Sequence, residues 1–136
     1  MKNAVLALMM MCILTGCKKF IEQQKENLVW AVMTQGQWSI TRFVEAGDTI
    51  TTQFSPYSFQ FNRDYTVDAI RGGAVESKGT WEADPETMNI TASFSSANET
   101  ITRINGTWHI YQKSTSYVMA DQSGAIEKSL RLDKLP

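Results

Sequence analysis

"GQWSI", residues 36–40, returns as "GTWEA" at 79–83 and "GTWHI" at 106–110, so three of the four tryptophans follow a glycine by two places. A strand that bends sharply favours a residue without Cβ at the bend. Two places further on, the side chain points to the same face. If that face is inward, tryptophan is large enough to plug the floor of a small barrel, and its indole N–H still requires a partner. Gly36 and Trp38 fit this scheme, and Trp81 and Trp108 repeat it.

Upstream of the first triplet, "KFIEQQKENLVWAVMT" (19–34) contains neither Gly nor Pro and is rich in helix formers. Ile21, Gln24, Leu28, Ala31 and Val32 fall on one face at three- and four-residue spacing. Because "LVWAVM" (28–33) is apolar all round, the end of this helix is expected to be buried, not laid on lipid. Downstream of Gly36 the period changes to two. "WSITRFVE", "YSFQF", "YTVDAI", "GTWEA", "MNITASF", "GTWHIY", "SYVMA" and "IEKSLRL" alternate apolar with polar residues, separated by turn-rich stretches such as "NRD", "RGG", "DPET" and "DQSG". The connections are too short for parallel crossovers. The expected fold is all-β: about eight antiparallel strands in a meander closing into a barrel, preceded by one N-terminal helix. A barrel of that size is either filled by side chains or holds one small ligand.

The first residues read as a leader. Lys2 precedes the apolar run "AVLALMMMCIL" (4–14), which is too short to span a bilayer at about 20 residues. It ends in "LTGC", and a leucine three places before a cysteine with small residues between resembles the lipobox of bacterial lipoproteins. That resemblance implies removal of residues 1–16 and acylation of Cys17, giving a membrane anchor of two or more chains. Residues 17–35 would then form the lipidated tether and helix, and 36–136 the barrel domain. By the same resemblance Lys18 is not the aspartate of inner-membrane retention, and "KKFIEQQ" lacks an acidic export cluster. The expected location is the outer membrane, facing the periplasm. Cleavage leaves 120 residues with twelve basic and fourteen acidic side chains, a formal charge of −2. No basic field exists to attract nucleic acid. With Cys12 removed and Cys17 acylated, no thiol is left for a disulfide, a metal or a nucleophile.

A helix leading into Gly-x-Trp on the first strand of such a meander resembles the lipocalin superfamily. With the further triplets at Gly79 and Gly106, the chain is similar to small lipocalin-like lipoproteins of Bacteroidetes-type bacteria over roughly residues 18–134. The resemblance implies an Arg or Lys near the C-terminus stacked on the first-strand tryptophan. Arg131 is the candidate partner of Trp38, with Lys134 as the fallback. "DTI" (48–50) resembles the short O-glycosylation motif of the same bacteria, at Thr49.

Little else carries chemistry. His109, the single histidine, alternates with Trp108 and Ile110 and should face outward. Glu82, Asp84 and Glu86 in "WEADPE" lack the spacing and glycine of a calcium loop. Asn89, Asn98 and Asn105 begin N-x-[ST] triplets that a Thr-rich β protein produces by chance. No catalytic residue, metal site or cofactor is implied. Tyr57, Phe59 and Phe61 share one face, as do Met88, Ile90, Ala92 and Phe94. They are either packed core or the lining of a pocket. Arg42 shares a face with Trp38, Ile40 and Val44; pointing inward it would need an anion, from Asp68, Glu76 or a ligand carboxylate.

The expected function is that of a non-enzymatic envelope lipoprotein binding a small apolar or amphipathic ligand. The alternative is a filled barrel that recognises a protein or glycan, as an inhibitor of a lytic enzyme or an accessory subunit would, through loops 46–57 and 95–99. If Cys17 carries the anchor, Cys17→Ser should block both acylation and cleavage at the lipobox, so that the acyl mass is lost. Unchanged fractionation with the lipid mass retained would refute the lipobox.

Overall fold

The computed structural model describes residues 24, 25 and 27–136; Cys17, the leader and residues 19–23 of the expected helix lie outside the described residues. Helix α1 covers residues 27–34. It is followed by β1 (Trp38–Glu45), β2 (Asp48–Thr49), a 3-10 turn (Thr51–Phe54), β3 (Tyr57–Phe61), β4 (Thr66–Arg71) and β5 (Ala74–Asp84). Then come β6 (Asn89–Ser93), α2 (Glu99–Thr102), β7 (Gly106–Lys113), β8 (Tyr117–Gln122) and β9 (Lys128–Lys134).

From β3 onward each strand pairs antiparallel with the next, and β9 returns to β1 through seven residue pairs, from Trp38↔Lys134 to Glu45↔Lys128. The wall is therefore a closed eight-stranded antiparallel barrel, as the periodicity predicts. β2 is a two-residue spur on the end of β1, pairing Thr49 with Val44. One strand is longer than its alternation suggests. β5 begins at Ala74, because Gly72 and Gly73 both adopt positive φ (59° and 79°) and turn the chain within two residues.

The interior is filled. Trp38, Trp81, Phe43, Phe54, Val67 and Ile101 are almost entirely buried, with Tyr57, Phe59, Phe61, Phe94 and Trp108 around them. Among the described residues no polar or charged residue is buried. Phe43 stacks on Phe54 and meets Trp108 edge-on, while Phe61 meets Trp81 edge-on. Such aromatic pairs add about 0.5–1.5 kcal/mol each beyond the area they bury.

Both ends of the barrel are plugged by a short helix, and the two plugs are fastened alike. A helix leaves its last carbonyls without intrahelical partners. At α1 the carbonyl of Val32 accepts from Lys134 Nζ (3.0 Å), that of Met33 from Trp38 Nε1 (3.0 Å), and that of Thr34 from Gln60 Nε2 (3.3 Å). At the opposite end, just beyond α2, the carbonyl of Arg103 accepts from Lys128 Nζ (3.1 Å), that of Ile104 from Trp108 Nε1 (2.7 Å), and that of Asn105 from Gln122 Nε2 (3.2 Å). In each set a lysine, a tryptophan and a glutamine take three consecutive carbonyls. Both lysines come from β9, one from each end of it. Met33 brings its own side chain into the core at 2% exposure, as Ile101 does from the other plug at 0%.

The glycines of the Gly-x-Trp triplets are required for two different reasons. Gly36 (φ 73°) and Gly106 (φ 118°) turn the chain out of a helix into a strand through backbone angles that side chains resist. Trp38 and Trp108 then reach back to the helix just left. Gly79 has ordinary angles, but a Cβ there would lie 2.5 Å from the Ser93 carbonyl and 2.8 Å from the Phe94 ring. It is glycine because β6 passes too close, and Trp81 donates instead to the Asn62 carbonyl in the β3–β4 turn (2.9 Å).

Replacing either plug tryptophan removes a buried ring and a helix-end donor together. Trp38→Ala and Trp108→Ala should each cost about 3–5 kcal/mol in urea unfolding. A loss under about 1 kcal/mol would show that the indole does not anchor its plug.

Candidate functional site

The residues expected to surround an internal ligand divide into three groups. Tyr57, Phe59, Phe61 and Phe94 are core side chains packed against one another. The Tyr57 hydroxyl reaches the barrel end, where it accepts from Asn98 Nδ2 (2.7 Å).

Arg42 does not enter the interior: it is exposed. The pairing of β1 with β9 shifts register between Ile40 and Arg42, so Thr41 is an extra residue in the ladder. The bulge reverses the alternation; Trp38 and Ile40 point inward before it, and Phe43 points inward after it in place of Val44. The two acids expected to meet Arg42 are engaged elsewhere, Asp68 with Lys78 (3.3 Å) and Glu76 with Arg71 (4.0 Å).

Met88 leaves the face shared by Ile90, Ala92 and Phe94. It sits in the β5–β6 turn with φ at 60°, a conformation that costs a non-glycine residue on the order of 1 kcal/mol.

The cation over Trp38 is Lys134, whose Nζ lies 5.0 Å from the ring centroid. Arg131 does not take that role. It alternates with buried Leu130 and half-buried Leu132, which turns it outward, and its guanidinium stacks on Tyr117 at 4.5 Å. There it donates to Asp133, which also accepts from the Thr41 hydroxyl in the bulge. The Arg131 hydrogen bond holds the Asp133 carboxyl below its ordinary pKa against some desolvation, with help from Thr41. His109 is exposed, its Nδ1 3.2 Å from Asn89 Oδ1. Asp84 Oδ1 accepts from the Glu86 backbone N–H (3.0 Å) and so shapes a turn. Among the described residues no three His, Cys, Asp or Glu side chains converge as metal ligands. Thr49 is exposed on the β2 spur.

A concave feature with a mainly apolar lining lies outside the barrel, beside α1. α1 covers only part of its end, and the uncovered part is a groove of about 480 Å³. One wall is α1 itself, with Leu28, Val29 and Val32; the other is made by the β5–β6 turn with Pro85 and Met88. Met33, Ile90, Ile110 and Val118 form its floor, and Lys113 at the end of β7 with Ser114 and Thr115 of the β7–β8 connection closes one side. The volume falls in the range of small-molecule sites, which are mainly apolar with a few polar groups that fix orientation. Leu28, 66% exposed, presents its side chain to the mouth. Irregular backbone borders the groove on two sides. The carbonyl of left-handed Met88 accepts from the Ile110 N–H (2.7 Å), and β7 shifts register against β8 between Ile110 and Gln112. Alternation alone puts Met88 and Ile90 on one barrel face and gives no sign of this groove. The all-round apolar stretch "LVWAVM" was its one advance signal.

No family model matches the chain, and no curated protein does. A solved structure resembles it: a DUF4847 family protein from Bacteroides vulgatus superposes with a TM-score of 0.59 at 15% identity, covering 79% of this chain and 99% of that one. At this identity the likeness establishes a shared barrel fold.

Replacing Lys134 and Arg42 in turn separates a cation seated on the core from an exposed one. Lys134→Met should lower stability by about 1–2 kcal/mol, since it removes both the contact with Trp38 and a donor at the end of α1. Arg42→Met should stay within about 0.5 kcal/mol, as expected of an exposed side chain. Equal effects in thermal or urea unfolding would contradict the assignment.

Proposed function

We propose that the chain is a non-enzymatic lipoprotein, anchored through Cys17 in the outer membrane and facing the periplasm, whose binding site is the groove beside α1 and not a calyx. The groove carries the proposal. Among the described residues it is an apolar concavity left open while the interior is filled and both barrel ends are plugged. Its lining suits a small apolar or amphipathic molecule, as such sites bury most of a ligand against aliphatic side chains. The helix-first Gly-x-Trp arrangement with a lysine on Trp38 supports kinship with lipocalin-like proteins. In this chain the binding surface would have moved from the inside of the barrel to its end. The filled interior also supports a second role, recognition of a protein or glycan at the far end, where residues 46–49 and 95–96 are exposed.

The test uses the full protein purified from membranes into phosphatidylcholine nanodiscs, with photoreactive hexadecanol as probe and labelled peptides read by mass spectrometry. Labelling should fall on the segments around Leu28, Met88 and Ile110, and Leu28→Asp should reduce it severalfold while leaving stability within about 0.5 kcal/mol. Labels on Phe59 or Ala92 would return the site to the interior. Labelling no greater than that of an unrelated anchored protein would leave the far-end role.

A further inference from the structure

We infer that the groove selects a single-chain amphiphile with an anionic head, a fatty-acid carboxylate in chemical class, seated with its head at Lys113 and Lys25. This rests on the groove proposed above and adds the polarity of its occupant. The mouth is electrically asymmetric. Lys25 and Lys113 stand at it, both exposed, and the carboxylate beside them, Asp84, has one oxygen committed to the Glu86 N–H of its own turn. Among the described residues Lys113 forms no ion pair; its Nζ rests 3.7 Å from the Met88 sulfur, a weak acceptor. An ammonium held over a thioether at the rim of an apolar trough is placed to receive a carboxylate, whose charge-assisted hydrogen bonds are stronger than those it replaces. The floor of Met33, Ile90 and Val118 then takes the alkyl tail, where each methylene withdrawn from water contributes about 0.8 kcal/mol.

Position favours the same class. α1 forms a wall of the groove and Lys25 lies on its leading side. If Cys17 is the anchor, the residues between it and Lys25 span at most about 28 Å even when fully extended. The groove is thereby held near a bilayer, the phase into which single-chain amphiphiles partition.

The experiment keeps the full protein in nanodiscs and measures how palmitate, hexadecanol and hexadecyltrimethylammonium compete with photoreactive hexadecanol. Palmitate should compete best and the cationic chain worst. Lys113→Met should weaken palmitate about 5-fold and leave hexadecanol unchanged. The preference for palmitate should also shrink at high salt, because the head-group contact is exposed and screened. If palmitate and hexadecanol compete equally in both proteins, or the cation competes best, the inference is wrong while the groove stands. If photoreactive hexadecanol does not label the groove in either protein, the groove itself is refuted and this inference with it. A Lys113→Met protein with altered unfolding would be replaced by Lys113→Gln, read in the same way.

Discussion

An indole N–H cannot be left unpaired in an apolar interior, and this barrel holds three of them in a core where, among the described residues, no polar residue is buried to receive them. Each must find a backbone carbonyl at the rim. Trp38 and Trp108 find theirs where a helix ends, and those carbonyls have no partner of their own. Two groups that would each be costly alone satisfy one another. The lysine and glutamine on either side complete the arrangement, so a helix end is seated on the barrel at three successive carbonyls. Phenylalanine could fill the same volume but could not seat the helix.

This seating decides where a ligand can go. Once both plugs are in place, large side chains occupy the space a calyx would use. A helix of α1's width covers the barrel end incompletely, and the remainder is lined by residues that would have been the innermost layer of an open cup, such as Ile90 and Val118. The groove is thus a by-product of plugging. Its polarity comes from side chains outside the core: Lys113 at the end of β7, and Lys25 among the helical residues that precede Asn27.

The strands, the closed meander and the burial of the Gly-x-Trp tryptophans could be read in the sequence because alternation is strict along most of the wall. It failed at Arg42, where Thr41 inserts one residue without a glycine or any other compositional mark, so every position after it on β1 changes face. The choice between Arg131 and Lys134 turned on parity too. β9 keeps its alternation, so Arg131, lying between Leu130 and Leu132, faces away from Trp38, and Lys134 takes the place over the ring. The groove was out of reach for another reason. It joins three segments distant in the chain, residues 25–33, 83–90 and 110–118, and its shape depends on how α1 lies across the others, which periodicity does not encode.

The wall is not equally strong all the way round. β1 meets β9 along its whole length but meets β3 at a single pair, Trp38↔Phe59, before diverging toward the β2 spur. What fills the space between them is the 3-10 turn, with Phe54 inserted beneath Phe43 and the Thr51 hydroxyl accepting the Phe43 N–H. A ring closed on one side by a ladder and on the other by a wedge has a built-in seam. Amide exchange in this protein is expected to be fastest along that line: local opening there breaks few rungs, and the barrel can part like a book whose spine is the β1–β9 ladder.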